Sequence, residues 1–329
     1  MKPSESITKR WKRRVKKVLI AASTIVCAAV IAGVIYELIY EHNDTRRFPQ
    51  QGRSVDIGGF RLNIHCTGTG APAVILESGL GIPAIGWDLV QPGVQKFTQV
   101  CSYDRAGYGW SDPGPLPRTS RQIAKELHVL LHNAGVPSPY ILVGHSLGGF
   151  NVRVLNGLYR KEVAGMVLVD SSIEDQQTWT PADAAAEKKE DAEVLLYARA
   201  YPVLFHLGIA RLFLATDRTP LPERMDAGLR YLLLKPPHVR AMIDEDLASK
   251  ESAEQVRESG SLGDKPLVVL IAGTDHKPSA MDLERKLGRL STNSQQIVVQ
   301  NSGHLIPFEQ PQAVVDAIKH VFNAFVGSR

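Results

Sequence analysis

The chain has 329 residues, 44% hydrophobic and 22% charged, and a formal net charge of +4 at pH 7. Residues 1–17 hold eight lysines and arginines and one glutamate, a charge of +7, so the rest of the chain carries −3. This uneven distribution excludes a basic nucleic-acid-binding surface and indicates a topology signal at the N-terminus instead. The length suffices for one domain with a full core.

An apolar segment follows the basic residues. Residues 18–36 carry no charge, and Glu37 is the only charged residue before Tyr40. The 23 residues 18–40 would form a helix of about 34 Å, which is long enough to cross a bilayer. The excess of positive charge predicts that residues 1–17 are cytoplasmic and that the rest is outside. A cleaved signal peptide is the alternative. However, the apolar run is longer than the usual apolar region of a signal peptide, and no clean A-x-A cleavage site follows it. Residues 41–53 are polar and predict a tether.

Two strands are predicted in the first part of the domain. Residues 73–77 (AVILE) form an apolar run that opens into the tetrapeptide Ser78-Gly79-Leu80-Gly81. A second run, residues 99–104 (QVCSYD), leads into the segment RAGYGWS at 105–111. We interpret Asp104 and Arg105 as structural residues that brace the loop beside a functional site.

The most informative motif is Gly144-His145-Ser146-Leu147-Gly148-Gly149, which directly follows the apolar run YILV. A G-x-S-x-G turn between a strand and a helix holds a serine hydroxyl out of the backbone as a nucleophile. The same turn directs the Leu147 N–H and the positive end of the next helix towards a developing oxyanion. Ser146 is therefore the predicted nucleophile.

A nucleophilic serine needs a base and an orienting acid. Residues 266–272 (PLVVLIA) predict a buried strand, and Asp275 follows its carboxyl end. A further strand, residues 295–300, ends shortly before His304, which is the predicted general base. Asp275 is the expected acid because it follows Ser146 in the chain and precedes His304 by one strand–helix–strand step. Asp170 is the alternative acid, since it also ends an apolar run (MVLVD).

Residues 171–263 lie between two predicted strands and are too long for a loop, so they predict an inserted helical cap. Within it, residues 195–214 are markedly apolar. Three interpretations stay open for this stretch: ordinary packing of cap on core, the lining of a hydrophobic acyl pocket, or contact with a membrane surface. Pro202 and Gly208 are expected to interrupt it, which excludes a single transmembrane helix.

In chain order, these motifs (S-G-L-G, D-R-A-G-Y-G-W-S, G-H-S-L-G-G, then Asp and G-H) resemble the α/β-hydrolase fold of the broad esterase, epoxide hydrolase and haloalkane dehalogenase group. The resemblance covers about residues 52–326. It implies a mostly parallel eight-stranded sheet covered by helices, formed by 54–170 and 264–329, with the cap inserted. The epoxide and haloalkane branches use a carboxylate nucleophile, and Ser146 in its place favours acyl transfer to water.

The resemblance also implies two local features. This fold usually supplies a second oxyanion donor after the strand that ends at Glu77, and we assign that role to the Leu80 N–H. The usual His-Gly pair is replaced here by Ser78-Gly79. The strands that contain Cys66 and Cys101 are neighbours in the resembled fold, so an oxidising compartment would let these cysteines form a disulfide, the alternative being two buried thiols.

The sequence therefore predicts a membrane-anchored serine esterase that acts on a small-molecule ester or lipid of apolar character. Neither the cysteines nor the histidines show zinc-ligand spacing, and the elbow is the only glycine-rich turn of its kind, so we expect no cofactor, no metal and no nucleic-acid partner. Hydrolysis of a carbon–carbon bond, a perhydrolase activity, and a non-catalytic binding protein on the same fold remain alternatives.

Overall fold

A computed structural model describes residues 7–174, 181–214, 221–274 and 285–328. The described residues divide into two compact units. Among the described residues, the smaller unit contains 7–49 and 199–214. The larger unit contains the sheet and the remaining helices.

The larger unit is built on one eight-stranded sheet. Its strands are β1 (Arg53–Asp56), β2 (Arg61–Thr67), β3 (Ala73–Glu77), β4 (Val100–Tyr103), β5 (Tyr140–His145), β6 (Val163–Val169), β7 (Leu267–Ala272) and β8 (Ser294–Val299). Their order across the sheet is β1-β2-β4-β3-β5-β6-β7-β8. Pairs β1–β2 and β2–β4 are antiparallel, and the other neighbours are parallel. The predicted mostly parallel eight-stranded sheet is thereby confirmed.

Strands β3, β5, β6 and β7 are buried along their whole length. Strands covered on both faces are apolar throughout rather than alternating, which explains the continuous apolar runs in the sequence. Strand β4 pairs with one edge of β3, and β5, the next strand in the chain, pairs with the opposite edge of β3. Such a reversal opens a crevice at the carboxyl ends of the two strands. The residues after Glu77 and after His145 therefore border the same crevice.

The α-helices named within the described residues are, in order, α1 (Ile7–Arg47), α2 (Gln91–Val94), α3 (Ser120–Asn133), α4 (Gly148–Leu158), α5 (Pro181–His206), α6 (Ile209–Leu214), α7 (Glu223–Leu233), α8 (Pro236–Leu247), α9 (Ser249–Glu258), α10 (Ile306–Glu309) and α11 (Pro311–Gly327). In the larger unit, one buried apolar cluster joins the sheet to α3, α4 and α9, and a second joins it to α11. These two clusters are the core on either side of the sheet.

Two details differ from the sequence-based expectations. Pro202 does not end α5, which continues through it to His206, whereas Gly208 adopts a φ of +70° in the turn before α6. A left-handed turn of this kind favours glycine, so Gly208 is the residue that interrupts the apolar stretch. The predicted tether is helical as far as Arg47, and two arginines in the last turn of α1 suit the negative end of the helix dipole.

Helix α1 is long and apolar enough to cross a membrane, judged by length and composition. Most of its large apolar side chains between Val18 and Tyr40 are exposed. The helix is therefore a candidate membrane span at the N-terminus, where the sequence indicated one.

Cys66 and Cys101 lie directly opposite each other on the antiparallel strands β2 and β4, with Cα atoms 4.0 Å apart, and their sulfurs are bonded. Cys27 is a free cysteine in α1. We expect the denatured, unreduced full-length protein to react with one equivalent of a thiol reagent, and the reduced protein with three. The mass of the intact protein after alkylation gives the number of reactive thiols before and after reduction. Three reactive thiols before reduction would contradict the bond.

Candidate active site

Ser146 lies in a strained turn between β5 and α4. Its φ is +52°, which is rare for a residue with a side chain. The turn is so tight that a Cβ on Gly148 would lie 2.5 Å from the Glu77 carbonyl oxygen, and a Cβ on Gly144 would lie 2.7 Å from the Gly148 carbonyl oxygen. These two glycines are therefore required by the approach of neighbouring backbone. The elbow leaves Ser146 half-buried at the carboxyl edge of the sheet.

His304 accepts a hydrogen bond from the serine hydroxyl. The distance from Ser146 Oγ to His304 Nε2 is 3.0 Å. The loop that carries the histidine is held by Glu309, whose carboxylate accepts hydrogen bonds from the Ser302 hydroxyl (2.9 Å) and from the Gly303 N–H (2.6 Å). Sequence reasoning missed Glu309, the last residue of the short helix that follows the Ser-Gly turn. The structure thus brings the predicted nucleophile and the predicted base together.

The other side of the His304 ring meets Asp170. Nδ1 donates to Asp170 Oδ2 at 2.6 Å, and Asp170 Oδ1 accepts the Ala272 N–H at 2.7 Å. Asp170 follows β6, has a φ of +42° and is 2% exposed. Asp275, which we expected in this position, lies outside the described residues. The carboxylate seen at the imidazole is the alternative acid, Asp170, and the function proposed below is based on it.

The sequence could not separate the two acids because both follow strands that end at the same edge. Strands β6 and β7 are parallel neighbours, and β6 is also the direct neighbour of β5, which carries the elbow. An acid at the end of β6 is therefore one strand from the nucleophile, whereas an acid after β7 is two strands away. That difference is set by strand order, which no local pattern reveals.

Behind the crevice, Arg105 holds the loop that follows β3. Its guanidinium donates to the carbonyl oxygens of Ser78 (2.6 Å) and Gly79 (2.8 Å). The next residues of the loop are also held, since the Gly81 N–H donates to the Tyr108 hydroxyl at 3.0 Å. These bonds support the interpretation of Arg105 as a brace. The backbone of Leu80, an expected oxyanion donor, is confined between these anchored positions.

Arg105 is also the centre of a buried ion cluster. It donates to Glu77 Oε1 at 2.7 Å and, with two nitrogens, to both oxygens of Glu245 at 2.8 and 2.9 Å. All three side chains are at most 2% exposed. Burial raises the pKa of Glu77, and the charge of Arg105 opposes that shift. Because Glu245 belongs to α8, the cluster connects a helix of the cap region to the loop beside Ser146.

His145 contacts both the backbone and the ring of His304. Its Nε2–H donates to the His304 carbonyl oxygen at 2.8 Å, and the two ring centroids are 4.9 Å apart. Burial, with a contribution from the neighbouring His304, lowers the pKa of His145 from 6.5 to about 4. His145 is therefore neutral in the folded protein at neutral pH.

This shift predicts a pH dependence of stability. Between pH 6.5 and 4 the unfolded chain binds a proton at His145 that the folded chain does not, so the His145 contribution is complete above pH 6.5 and is lost as the pH falls. The loss is at most about 1.4 kcal/mol per pH unit. We expect His145→Gln to lose less stability than the wild type between pH 7.5 and 5 in urea unfolding. His238, whose pKa burial lowers to about 3, is present in both proteins and cancels. Parallel pH profiles would contradict the prediction.

A cavity of about 280 Å³ opens beside Ser146. Its apolar lining consists of Leu80, Leu147, Phe150, Ile173 and Ala253. Its charged lining consists of Glu174, Asp246, Lys250, Glu254 and Arg257, of which the last four are exposed. Both expected oxyanion residues, Leu80 and Leu147, thus border the same space as the nucleophile. Helices α8 and α9, which lie within the predicted cap 171–263, contribute to this lining, and their charged residues make the mouth of the cavity polar.

These features define the class of protein. The chain belongs to the alpha/beta hydrolase family, whose family model matches residues 73–317. This match confirms the resemblance and the fold that the motifs predicted. Among the residues that the structure describes, no group of three or more His, Cys, Asp and Glu side chains is placed to hold a metal ion.

Individual proteins are similar over much of the chain. Identity is 26% with the protein described as probable transporter efuK of Hormonema carpetanum, over 84% of this chain and 43% of that protein. It is 26% with the uncharacterized protein YqjL of Bacillus subtilis (strain 168), over 79% of this chain and 87% of that protein. A solved structure of a thermophilic esterase from Thermogutta terrifontis superposes with a TM-score of 0.64 at 23% identity, covering 84% of this chain and 99% of that chain. The chain thus spans under half the length of efuK, and the last likeness shows the fold alone.

Proposed function

We propose that the chain is a serine hydrolase that cleaves an ester or similar acyl bond of a small molecule. The observation that carries the proposal is the continuous hydrogen-bond relay from Ser146 through His304 to Asp170. A hydroxyl bonded to an imidazole that a buried carboxylate orients is the arrangement of an activated nucleophile. The strained elbow supports it, because strain of this kind is maintained only where the surrounding structure compels it.

The proposed reaction has two halves. Ser146 Oγ attacks the acyl carbon while its proton moves to His304 Nε2, and Asp170 stabilises the resulting imidazolium. The Leu80 and Leu147 N–H groups stabilise the oxyanion, and the imidazolium then protonates the leaving alcohol. In the second half, His304 takes a proton from water, the hydroxide attacks the acyl-enzyme, and the acid product leaves with Ser146 restored. Every proton is returned, so no cofactor is needed.

The lining of the cavity favours a substrate whose acyl group is apolar and of limited length. Leu80, Phe150 and Ile173 offer an apolar wall next to Ser146, whereas the mouth between α8 and α9 carries exposed charges. A long alkyl chain would leave apolar surface against charged groups, which is unfavourable. We therefore expect p-nitrophenyl esters with short or medium acyl chains to be turned over faster than those with long chains.

Labelling with a fluorophosphonate tests the proposed nucleophile. We expect one adduct on the full-length protein by intact mass and none on Ser146→Ala, with ester turnover lost in parallel. Ser172→Ala is a matched control, because Ser172 lines the same cavity but no imidazole in the described part of the chain is hydrogen-bonded to its hydroxyl, and this variant should keep the adduct. A folded wild-type protein that forms no adduct would refute an activated Ser146 and would favour a binding role.

We further propose that α1 anchors the enzyme in a membrane, with residues 1–17 in the cytoplasm and the catalytic domain outside. The apolar length of α1 and the basic N-terminus support this orientation. The Cys66–Cys101 disulfide is also typical of a protein exposed to an oxidising compartment. Protease added to intact cells should digest the catalytic domain. Complete protection of that domain would refute the orientation.

A further inference from the structure

The turn between α5 and α6 packs against the C-terminal half of helix α1. The turn between α5 and α6 lies against it so closely that a Cβ on Gly33 would be 2.5 Å from the Leu207 carbonyl oxygen. A Cβ on Gly208 would likewise be 2.6 Å from Cδ1 of Tyr36. Glycine on both surfaces permits this approach, as in helices that pack within membranes. The turn is thus placed at the level of Gly33 and Tyr36 on α1.

A charge pair fixes the same contact. Arg211 of α6 donates to both oxygens of Glu37 at 2.8 and 3.1 Å and to Asp44 at 2.7 Å. Glu37 is 2% exposed, and it is the only charged residue in the apolar segment 18–40. An unpaired carboxylate in a membrane span is costly, and a paired one much less so. Arg211 therefore neutralises the one charge within the predicted span.

The depth of the contact follows from helix geometry. Gly33 precedes Tyr40, the end of the predicted span, by seven residues, which is about 10 Å along the helix axis. A turn packed at Gly33 would lie below the surface of a bilayer that α1 crosses. Apolar side chains near this turn are exposed: Val203, Leu212 and Phe213 are 61%, 62% and 75% exposed. Exposed apolar side chains at that depth would contact lipid rather than water.

We propose that residues 199–214 form an interfacial element embedded in the outer leaflet, with Val203, Leu212 and Phe213 in contact with lipid acyl chains. Of the three interpretations of this apolar stretch, the contacts favour the membrane one. The inference rests on the proposed anchor, because it takes its depth from α1. The occupant of the exposed apolar face is the lipid bilayer itself.

Depth-dependent fluorescence quenching tests the element in the full-length protein. The background is Cys27→Ser, in which Cys66 and Cys101 remain bonded. Single cysteines are introduced as Phe213→Cys, Ile31→Cys and Arg46→Cys, labelled with an environment-sensitive fluorophore and reconstituted into phosphatidylcholine–phosphatidylglycerol vesicles. Ile31 is 59% exposed within the span, and Arg46 lies six residues beyond its end. Quenching by spin-labelled lipid is then compared with quenching by aqueous iodide.

We expect the ratio of lipid to aqueous quenching to be high at positions 31 and 213 and about tenfold lower at position 46. A high ratio at 31 with a low ratio at 213 would overturn the embedded element and leave the anchor intact. Low ratios at both positions would overturn the anchor and the element with it. The two failures are therefore distinguishable.

A second measurement tests the charge pair. Arg211→Gln leaves Glu37 without its guanidinium partner, and we expect the lipid quenching at position 213 to fall about twofold or more. Adding Glu37→Gln removes the uncompensated carboxylate and should restore most of the quenching. Unchanged quenching in Arg211→Gln would contradict the role of Arg211 in holding the element at this depth.

Discussion

Asp170→Asn is expected to lower kcat by about ten-thousand-fold. In the wild type, the carboxylate accepts the Nδ1 proton of His304 at 2.6 Å, so that the Nε2 lone pair accepts the proton of Ser146. An asparagine amide would instead donate to Nδ1 and place the ring proton on Nε2, the wrong tautomer for a base. The amide oxygen of the variant can still accept the Ala272 N–H, so the fold should persist. Steady-state turnover of a p-nitrophenyl ester, with melting temperature as the folding check, gives the result.

Asp275→Asn is the matched control for this prediction. The two acids follow neighbouring strands, and both satisfy the same local sequence pattern. Because His304 Nδ1 donates to Asp170 Oδ2 at 2.6 Å, we expect Asp275→Asn to change kcat by less than about tenfold. A large loss in Asp275→Asn together with near-normal activity in Asp170→Asn would return the role to Asp275.

Arg105→Met is expected to lower the free energy of unfolding by about 3–5 kcal/mol, because removal of one partner of a buried ion cluster leaves the others uncompensated. Here the cation is lost and two carboxylates, Glu77 and Glu245, remain in the interior. Buried carboxylates without a cation have a raised pKa. The folded variant would then bind protons that the unfolded chain does not bind, so its deficit in stability should shrink as the pH falls. Urea unfolding at two pH values measures both effects.

The same variant should also lose catalytic rate. Arg105 holds the carbonyls of Ser78 and Gly79, so the position of the next residue, Leu80, whose N–H is the proposed oxyanion donor, depends on these bonds. Loss of one oxyanion donor costs about 10²–10³ in kcat in serine hydrolases. Arg105→Lys keeps the charge, but one ammonium cannot reach both carbonyls and both carboxylates. Compared with Arg105→Met, it should therefore restore more of the stability than of kcat.

A second buried pair separates the two effects. Arg118 donates to both oxygens of Glu126 at 2.6 and 2.8 Å, and both side chains are at most 5% exposed. Within the described residues, this pair makes no hydrogen bond to the loop after β3. Arg118→Met should therefore lose stability to a similar extent while the folded enzyme keeps its kcat within about threefold, since no oxyanion donor moves. Equal kcat in Arg105→Met and Arg118→Met would refute the bracing role of Arg105.

Much of the fold could be predicted because its signals are local. The apolar runs that became β3, β5 and β7 lie within one or two residues of their predicted bounds, since strands buried on both faces are recognisable without knowledge of their neighbours. The elbow at Ser146 was recognisable for a similar reason, because its glycines and flanking elements are adjacent in sequence. Pro202 was the exception, because α5 continues through it to His206 although a proline usually disrupts the interior of a helix.

Glu245 could not have been assigned from sequence. It lies 140 residues from Arg105 in the chain and occupies an ordinary helical position among other acidic residues. Only the folded protein shows that α8 brings this carboxylate to the guanidinium that holds the loop after β3. The pairing of Arg211 with Glu37, separated by 174 residues, is a second contact of this kind.

The sequence by itself indicated the fold class, the proposed nucleophile Ser146, its partner His304 and the apolar N-terminal helix, because each depends on a pattern within a few consecutive residues. The tertiary structure alone decided which acid meets His304, which cation holds the loop of Leu80, and which residues pack on α1. These choices depend on strand order and on distances between remote segments. Asp170 and Asp275 satisfy the same local pattern, and it is the fold that places Asp170 within hydrogen-bonding distance of the imidazole.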